Sequence, residues 1–476
     1  MKFPALNDAD WSYRALFAAL IVAGTAARHI EIGYSLDGDE IFSVSLAIQD
    51  FGAVIQGSLQ DKPHPPLYNV LLHAWTALFG HGEIPVRALS ILFSVGFLLL
   101  AERILARFVT PPYRLTAIAL LAVSPFFLYY GQQARPYALI ALLSAANLLA
   151  FLRLVEEPRA ARIAIWAASC TALVYSQYIA VLPIAIEIAF AAFLLKRDRI
   201  LVAGAGIAAT VLIAPWVISA MGAALSAGAD PLGQITWMGK PSLIELAWFY
   251  VSLFGEAFPS RGLFLLLLIP AAAYVWRAWK ANRLPALHAL LIALAIGLPL
   301  ITYVLSIAGP KPVFAPRQLE IAGFAFIALI AMGLERLPSY AGAAVGAALI
   351  GWCIASIPEA YPHNVKPPWR EVAREVAEKH TGAPLIVEER EFRRSVGYYA
   401  PATEIALWSE FPEAARIRRF TFLCRPFKCD ALKALEPRAA MVARWHWNTS
   451  RGDTDYNQLK LYEVSPLGAG TTPATP

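Results

Sequence analysis

Charged residues are scarce in this chain of 476 residues: Asp, Glu, Lys and Arg make up 16%, whereas 58% of the residues are hydrophobic. A typical soluble domain is about 25% charged and at most about half apolar, so the composition excludes an ordinary soluble protein. Apolar runs of membrane-spanning length recur along most of the chain. The sequence therefore predicts a polytopic α-helical membrane protein.

Cysteine is also rare, with four in the whole chain. Cys170 and Cys353 lie in apolar runs and are expected to be packing residues, whereas Cys424 and Cys429 lie in a polar tail. No His or further Cys stands at ligand spacing from the second pair, which makes zinc the weaker interpretation. A disulfide suits a location outside the cytoplasm, and the sequence leaves this pairing open.

A cleavage motif and an internal repeat are absent too. The first apolar run, residues 13–26, is not followed by an evident small-residue cleavage site, so we interpret it as a retained first helix. With it, about eleven spans are predicted. The others lie at roughly 87–106, 115–130, 136–155, 163–178, 179–195, 200–220, 261–277, 286–307, 318–334 and 339–358.

The net charge of +6 comes largely from basic clusters between apolar runs, which is a topology signal. If residues 65–80 lie along the interface without crossing the membrane, four basic clusters fall on the same side as the amino terminus. If this segment crosses, all four clusters move to the far side. We therefore predict an inside amino terminus. The acidic stretch after the first run, the Gly131–Arg135 turn, the 221–260 loop, the 309–317 loop and the carboxyl-terminal segment are all predicted to lie outside. The clusters are Arg103, Arg107 and Arg114; Arg153, Arg159 and Arg162; Lys196, Arg197 and Arg199; and Arg277, Lys280 and Arg283.

Three domains follow from the change in composition near residue 358. Residues 1–358 are predicted to form a transmembrane domain, whose outer loop 30–86 carries interfacial helices at 39–60 and 65–80. Residues 359–467 form a small α/β domain with a helix at 369–379 and a strand at 385–387. The end, 468–476, is expected to be disordered. A further interfacial helix is predicted from Leu243 to Phe254.

Three carboxylates, Asp37, Asp39 and Glu40, follow the first apolar run within four residues. Such groups are too costly in hydrocarbon, so they belong at a membrane face or in a wet cavity. Helix capping is the structural alternative, because Asp and Glu in a first turn accept backbone N–H bonds and suit the helix dipole. Capping explains one carboxylate well and three poorly, so Asp39 is a candidate catalytic residue.

Basic residues stand in the predicted outer loops. Lys62 and His64 precede Pro65-Pro66, where the alternative is a rigid turn with solvated charges. Outside arginines run against the positive-inside bias, and their planar guanidinium suits phosphate. The alternative is snorkelling or pairing with Asp37, Glu83 or Glu320. The arginines concerned are Arg87, Arg135 and Arg317.

For two polar residues in apolar segments, a structural role is preferred to a functional one. Glu187 is a functional candidate by its place in an apolar run, but a buried, hydrogen-bonded acid packed against another helix is the better interpretation. His73 is interpreted as a polar-face residue and not as a ligand.

An ordered set of motifs resembles the GT-C superfamily of integral-membrane glycosyltransferases. The similarity is greatest to the bacterial branch related to protein O-mannosyltransferases and lipid A aminoarabinose transferases, and it covers roughly residues 10–360. The motifs are Asp39-Glu40, the segment Lys62–Tyr68, Arg87, Ser124-Pro125, the segment Tyr129–Tyr137 and Pro316-Arg317, with Trp369-Arg370 near the start of the tail.

The resemblance implies a transferase that uses a polyprenyl-phosphate sugar on the periplasmic side of the bacterial inner membrane. Asp39 matches the catalytic acid and Glu40 its neighbour, while Lys62, Arg135 and Arg317 match contacts to the donor phosphate. Further substrate-binding candidates are Asp37, His64, Arg87 and Tyr137. An acid often found in the second outer loop is replaced here by Gln132-Gln133, so a divalent metal is possible but not favoured, and no cofactor is expected.

Two other classes of function compete with this interpretation. A transporter or flippase of lipid-linked sugars would also use membrane arginines, but it should show inverted repeats or paired charges near the midplane. A membrane-anchored assembly protein would bind partners through its tail. For a transferase, the expected partners are the lipid donor, membrane lipids and a glycolipid, polysaccharide or protein acceptor, with no nucleic acid; the sugar, acceptor and oligomeric state are not specified.

Overall fold

The computed structural model describes residues 10–59, 64–195, 198–226, 239–255, 272, 276, 285–379, 383–411, 419–425, 429, 439–447 and 459–466. It forms two compact units. The helical unit comprises Met1–Ile32 and Leu46–Ala360, and the sheet unit comprises Gly33–Ser45 and Tyr361–Pro476. Lys62, the end 468–476 and most of the predicted span 261–277 lie outside the described residues.

The predicted outer loop begins with two helices where we expected one helix over 39–60. Helix α2 spans Gly38–Ala47 and α3 spans Phe51–Ser58. Asp50 caps α3, because its Oδ1 accepts the N–H of Ala53 at 3.0 Å. Asp is a weak residue inside a helix and a strong one at a cap, so the chain starts a new helix here.

The helical unit is built from helices that mostly match the predicted runs. The predicted interfacial helices at 65–80 and from Leu243 appear as α4 and α13, and the turn expected near 175–178 separates α9 from α10. The helices are α1 Trp11–His29, α4 Leu67–Phe79, α5 Glu83–Leu105, α6 Pro111–Val123, α7 Pro125–Gly131, α8 Tyr137–Glu156, α9 Ala160–Val174, α10 Val181–Leu194, α11 Arg199–Val211, α12 Ala214–Ser226, α13 Leu243–Ser252, α14 Ala286–Ile292, α15 Leu298–Ala308, α16 Glu320–Leu334 and α17 Ser339–Ser356.

Five helices among the described residues are long and apolar enough to cross a membrane, and the bent pair α6–α7 would make a sixth. Several other predicted spans appear as apolar helices of 10–17 residues. The count of about eleven spans therefore stays a prediction. The five are Glu83–Leu105, Tyr137–Glu156, Arg199–Ala223, Ala286–Ala308 and Ser339–Ala360.

The run predicted as one span at 115–130 is broken, with α6 and α7 bent by 54° at Ser124. Pro125 has no N–H to continue the α6 ladder, so carbonyl groups near the end of α6 need other donors. The buried guanidinium of Arg28 donates to the Ala122 carbonyl at 3.0 Å and to the Phe127 carbonyl at 3.3 Å. A side chain of α1 thus stabilises the bend.

Two of the predicted basic clusters meet at one end of the helical unit. Arg107 follows α5 and its Nε lies 2.6 Å from a carboxylate oxygen of Glu156, the last residue of α8. The amide of Thr110 donates to Glu335 at 3.0 Å. The first residue of α8, Tyr137, lies about 30 Å away along the helix axis. This geometry agrees with placing the first two clusters on one side.

The core of the helical unit centres on α16, all of whose residues are buried except Phe326. Ala, Gly, Ile, Leu and Phe fill its whole circumference, which is typical of a helix surrounded by other helices. The carboxyl of Glu187 is buried in α10 and accepts the indole N–H of Trp166 at 2.7 Å. The interpretation of Glu187 as a buried, hydrogen-bonded acid is therefore confirmed.

The sheet unit contains five strands in the order β2-β1-β3-β5-β4. Strand β1 pairs in parallel with β2 and β3, with Leu385 opposite Ile405 and Thr421, and β5 pairs antiparallel with β3 and β4. The strands are β1 Leu385–Val387, β2 Ile405–Leu407, β3 Phe420–Cys424, β4 Ala439–Trp447 and β5 Leu459–Pro466. Helices α18 Pro362–Val365, α19 Trp369–Lys379 and α20 Arg390–Tyr399 accompany them.

Large apolar side chains pack between the helices and the sheet of this unit. The fully buried rings of Trp369 in α19 and Phe392 in α20 lie 5.1 Å apart, and both belong to a core with Leu385 of β1. Cys424 and Cys429 form a disulfide. A small C-terminal sheet domain is thus present, as the sequence predicted.

Candidate active site

The acidic stretch forms a reciprocal cap at the start of α2. Asp37 Oδ1 accepts the N–H of Glu40 at 2.8 Å, and Glu40 Oε2 accepts the N–H of Asp37 at 3.2 Å. This arrangement is a capping box in which Asp takes the place of Ser or Thr. The capping alternative therefore accounts for two of the three carboxylates.

A lysine far along the chain holds these two carboxylates. Lys366 Nζ lies 2.9 Å from Asp37 Oδ2 and 3.0 Å from Glu40 Oε2, and the side chains of Lys366 and Glu40 are almost fully buried. The sequence does not mark Lys366 as a candidate site residue. Its sole local signal is the charge placed immediately before Pro367-Pro368.

Asp39 lies between the two capping carboxylates and is exposed. Helix α20 approaches the same turn, because a Cβ added at Gly38 would lie 2.6 Å from Glu391 Cγ. Partial burial raises the pKa of Glu391, and the carboxylates of Asp37, Glu389 and Asp39 raise it further against the lowering effect of Arg425. Asp39 thus stands in an acidic environment.

In the helical unit, His64, Arg135 and Arg317 come together. His64 is buried, and desolvation by burial, with the charges of Arg135 and Arg317, lowers its pKa well below 6.5. The ring bonds the Ser176 backbone, whose N–H is already donated to Leu173, so the carbonyl is the partner. His64 is consequently a neutral imidazole within the electrostatic influence of both guanidinium groups.

The Nδ1 atom of His64 has no hydrogen-bond partner among the described residues. Because the other ring nitrogen donates to the Ser176 carbonyl, Nδ1 presents a lone pair as an acceptor. An acceptor suits a hydroxyl group and not a phosphate oxygen. Nδ1 is thus suited to accept a hydrogen bond from a hydroxyl group, whereas the guanidinium groups suit an anion.

Aromatic rings line the same end of the helical unit. The Tyr137 ring lies 6.0 Å from the His64 ring and 5.1 Å from the Tyr130 ring. Glu320 is the first residue of α16 and is 1% exposed. Among the described residues, no other residue donates a hydrogen bond to its carboxylate oxygens. The cluster thus combines two cations, one buried acid and several rings.

The remaining predicted residues are placed as follows. Arg87 is buried in α5 and donates to the Ile32 carbonyl at 2.8 Å, which fixes the chain just before the sheet unit begins. His73 bonds the Ala47 carbonyl at 2.8 Å, as expected for a polar-face residue. In the described part of the chain, no three His, Cys, Asp or Glu side chains are grouped so that they could hold a metal ion.

Residues 63–219 match the family model of the dolichyl-phosphate-mannose-protein mannosyltransferases. This match includes His64, Arg87 and Arg135 and covers about a third of the chain. A search of curated protein sequences finds no match to the chain. The helical character of the matched region agrees with a multi-pass membrane protein.

Solved structures share the fold over almost the whole chain at low sequence identity. ArnT from Cupriavidus metallidurans in the apo state has a TM-score of 0.61 and 13% identity, and the match covers 95% of this chain and 98% of that one. ArnT bound to undecaprenyl phosphate has a TM-score of 0.53 and 14% identity, with 96% and 98% covered.

A third structure is more distant. The Archaeoglobus fulgidus oligosaccharyltransferase complex with Zn and sulfate has a TM-score of 0.52 and 11% identity, and the match covers 86% of this chain and 67% of that one. The family-model match over residues 63–219 and the shared fold support the resemblance to the GT-C superfamily, to ArnT and to the O-mannosyltransferases that the sequence motifs indicate.

Proposed function

We propose that the protein transfers a sugar from a polyprenyl-phosphate donor to an acceptor hydroxyl on the periplasmic side of the bacterial inner membrane. The observation that carries the proposal is that the charges of Arg135 and Arg317 both act on the buried ring of His64, with the Arg317 guanidinium over the neighbouring Tyr137 ring. A lipid phosphate needs such cations, and guanidinium groups bind phosphate through strong, directional hydrogen bonds. The structure of ArnT with undecaprenyl phosphate supports this class of donor.

The reaction is an inverting displacement at the anomeric carbon. Asp39 takes the proton of the acceptor hydroxyl, the hydroxyl oxygen forms a bond to the anomeric carbon, and the bond from that carbon to the phosphate oxygen breaks. Polyprenyl phosphate leaves with the bonding electron pair. Arg135 and Arg317 stabilise the charge that develops on this phosphate.

Other candidate residues have supporting roles. His64 accepts a hydrogen bond from a donor-sugar hydroxyl through Nδ1, and Tyr137 holds the ring of His64 and the guanidinium of Arg317 in place. Lys62 is assigned to the donor phosphate from its motif alone. Glu40 and Asp37 shape the turn that carries Asp39.

The acceptor is proposed to be a glycolipid such as lipid A, a polysaccharide or a protein. The Cys424–Cys429 disulfide supports placing the sheet unit in an oxidising compartment, such as the periplasm. We propose that the reaction needs no metal ion, and excess chelator should leave the transfer rate unchanged.

The test is turnover of a radiolabelled polyprenyl-phosphate sugar by the purified protein. Release of polyprenyl phosphate is the expected result. Movement of the intact lipid across a vesicle membrane without cleavage would instead show a transporter or flippase. Comparison of envelope glycans between a deletion strain and its parent would then identify the acceptor.

A further inference from the structure

The chain before α2 is attached to the C-terminal part of the sheet unit by hydrogen bonds between side chains and the backbone as well as by charge. Residues from 33 to 36 bond to residues from 366 to 399, more than 300 positions away in sequence. The bonds are Tyr34 Oη to the Lys366 carbonyl at 3.1 Å, Ser35 Oγ to the Pro367 carbonyl at 3.3 Å, the Leu36 amide to Tyr399 Oη at 2.7 Å and Arg370 Nη2 to the Gly33 carbonyl at 2.9 Å.

Lys366 is the charged centre of this attachment. Its ammonium neutralises a completely buried carboxylate, that of Glu40, and also bonds Asp37. Both acids close the capping box that starts α2. Loss of the lysine would leave a buried carboxylate without its cation, which is far more costly than losing a surface ion pair.

Resting on the proposed function, we propose that Lys366 is a positioning residue of the transferase, which fixes the first turn of α2 so that Asp39 is presented while Asp37 and Glu40 are held. Lys366 does not bind the donor phosphate in this scheme, because its ammonium is buried against two carboxylates. It acts through the turn and touches no substrate.

In this scheme, the C-terminal residues of the sheet unit contribute to catalysis by positioning the turn that carries Asp39. From the sequence alone, the tail carries no catalytic motif, and it is expected to influence acceptor choice more than donor cleavage. The contacts of Gly33, Leu36 and Glu40 with the tail give it a second role, because they set the geometry of the acidic turn. Cleavage of the donor in water should therefore depend on Lys366 as strongly as transfer does.

The first measurement is independent of activity: amide hydrogen exchange of the full-length protein in lipid nanodiscs. Lys366→Met should speed exchange across residues 36–42 by at least about tenfold, because breaking a buried ion pair loosens the local structure. Exchange in α16 should not change. The matched control is Arg374→Met, which removes an exposed cation from α19 and should leave residues 36–42 protected.

The second measurement separates positioning from donor binding. Lys366→Met should lower kcat for transfer and for donor hydrolysis by at least about tenfold, with little change in donor KM. Lys366→Arg keeps the charge and should restore part of kcat. A rise in donor KM at constant kcat would overturn the proposal by making Lys366 a donor ligand.

A further variant covers the case in which Lys366→Met does not fold. Glu40→Gln added to Lys366→Met removes the uncompensated buried charge, so the double variant should fold and still exchange faster than wild type at residues 36–42. Wild-type exchange and wild-type kcat in a folded variant would overturn the proposal. If wild type itself releases no polyprenyl phosphate, the proposed function fails, and the exchange result still decides the positioning contact.

Discussion

The guanidinium of Arg317 lies over the ring of Tyr137, with its central carbon 5.9 Å from the ring centroid. Arg317 belongs to the turn before α16, and Tyr137 is the first residue of α8. A cation over an aromatic face is attracted by the ring quadrupole, which limits the orientations of the side chain. The ends of two core helices thus position a charge before any ligand arrives.

The first prediction concerns the two arginines. Arg135→Ala and Arg317→Ala should each lower donor kcat/KM by about one to two decades, because a charge-assisted contact to phosphate is worth roughly 1.5–3 kcal/mol. The measurement is donor titration at fixed acceptor. Arg103→Ala is the control, because the Arg103 side chain lies in the last turn of α5, away from the proposed phosphate site, and is 72% exposed.

Lysine substitutions refine this test. Lys in place of Arg135 or Arg317 keeps the charge but loses the planar fork, so it should restore only part of the activity. Wild-type donor titration by both alanine variants would show that the phosphate lies elsewhere.

Arg135 and Arg317 could be recognised in the sequence, whereas Lys366 could not. An arginine in a predicted outer loop is unusual for its position, which makes it a candidate without any knowledge of its neighbours. The pairing of Lys366 with Glu40 joins residues separated by 326 positions, and no periodicity or local motif records such a contact. Only the fold brings the two charges together.

The helices show a similar division. Long apolar runs predicted α5 and α8 well, because membrane-length hydrophobicity dominates their sequence. The breaks at Asp50 and at Ser124-Pro125 were missed. Each break is caused by one or two residues. Hydropathy averaged over a window does not reveal a capping residue or a proline, although either one ends a helix.

The second prediction is a pH dependence of stability due to His64. Its folded pKa lies well below 6.5, so below that pH the unfolded chain binds a proton that the folded protein does not. Stability is therefore lost as the pH falls through 6.5, by about 1.4 kcal/mol per pH unit until the folded pKa is reached. Thermal unfolding at pH 7 and pH 5 measures this.

His64→Gln should lose less stability than wild type over the same range. The control His81→Gln removes an exposed histidine and should behave like wild type. Parallel pH curves for wild type and His64→Gln would contradict a buried neutral His64.

The third prediction concerns the contact between Gly38 and α20. Gly38→Ala should force Glu391 or the first turn of α2 to move, because the new Cβ would lie 2.6 Å from Glu391 Cγ. The cost should lie at the low end of the about 1–3 kcal/mol typical of overpacking, because the half-exposed Glu391 side chain can partly turn away. It is measured by thermal or denaturant unfolding, and transfer should fall. Glu391→Ala in the same background should relieve the clash.

Gly351→Ala is a matched control for the same substitution in a helix. A Cβ at Gly351 would meet no atom within 4 Å, so this variant should be as stable as wild type or slightly more so. If Gly38→Ala behaved like Gly351→Ala, the packing of α20 against the turn would be refuted.

The fourth prediction tests the membrane orientation. Lys240 is exposed just before α13, in a segment predicted to lie outside, whereas Arg159 is exposed in a cluster predicted to lie inside. Lys240→Cys should react with an impermeant thiol reagent in spheroplasts, and Arg159→Cys only after permeabilisation. The free cysteines Cys170 and Cys353 are buried and should contribute little background. The reverse labelling pattern would invert the topology.

The fifth prediction separates the roles of the three neighbouring carboxylates. Asp39→Asn should lower kcat by about 10² to 10⁴, the usual cost of removing a general base, with little change in Tm. Glu40→Gln should instead lower Tm, because breaking a buried ion pair costs about 3–5 kcal/mol. Asp37→Asn should be the mildest, since Asn still caps a helix.

Transfer rate at saturating donor and thermal unfolding, measured on all three variants at matched protein level, decide between these roles. Asp39 is exposed, whereas Glu40 is completely buried against Lys366, so of these two residues only Asp39 is expected to show a loss of kcat without a loss of stability. An Asp39→Asn protein within about threefold of the wild-type rate is far from the cost expected for a base and would remove Asp39 from the mechanism. An inactive but stable Asp37→Asn protein beside it would move the base two residues upstream.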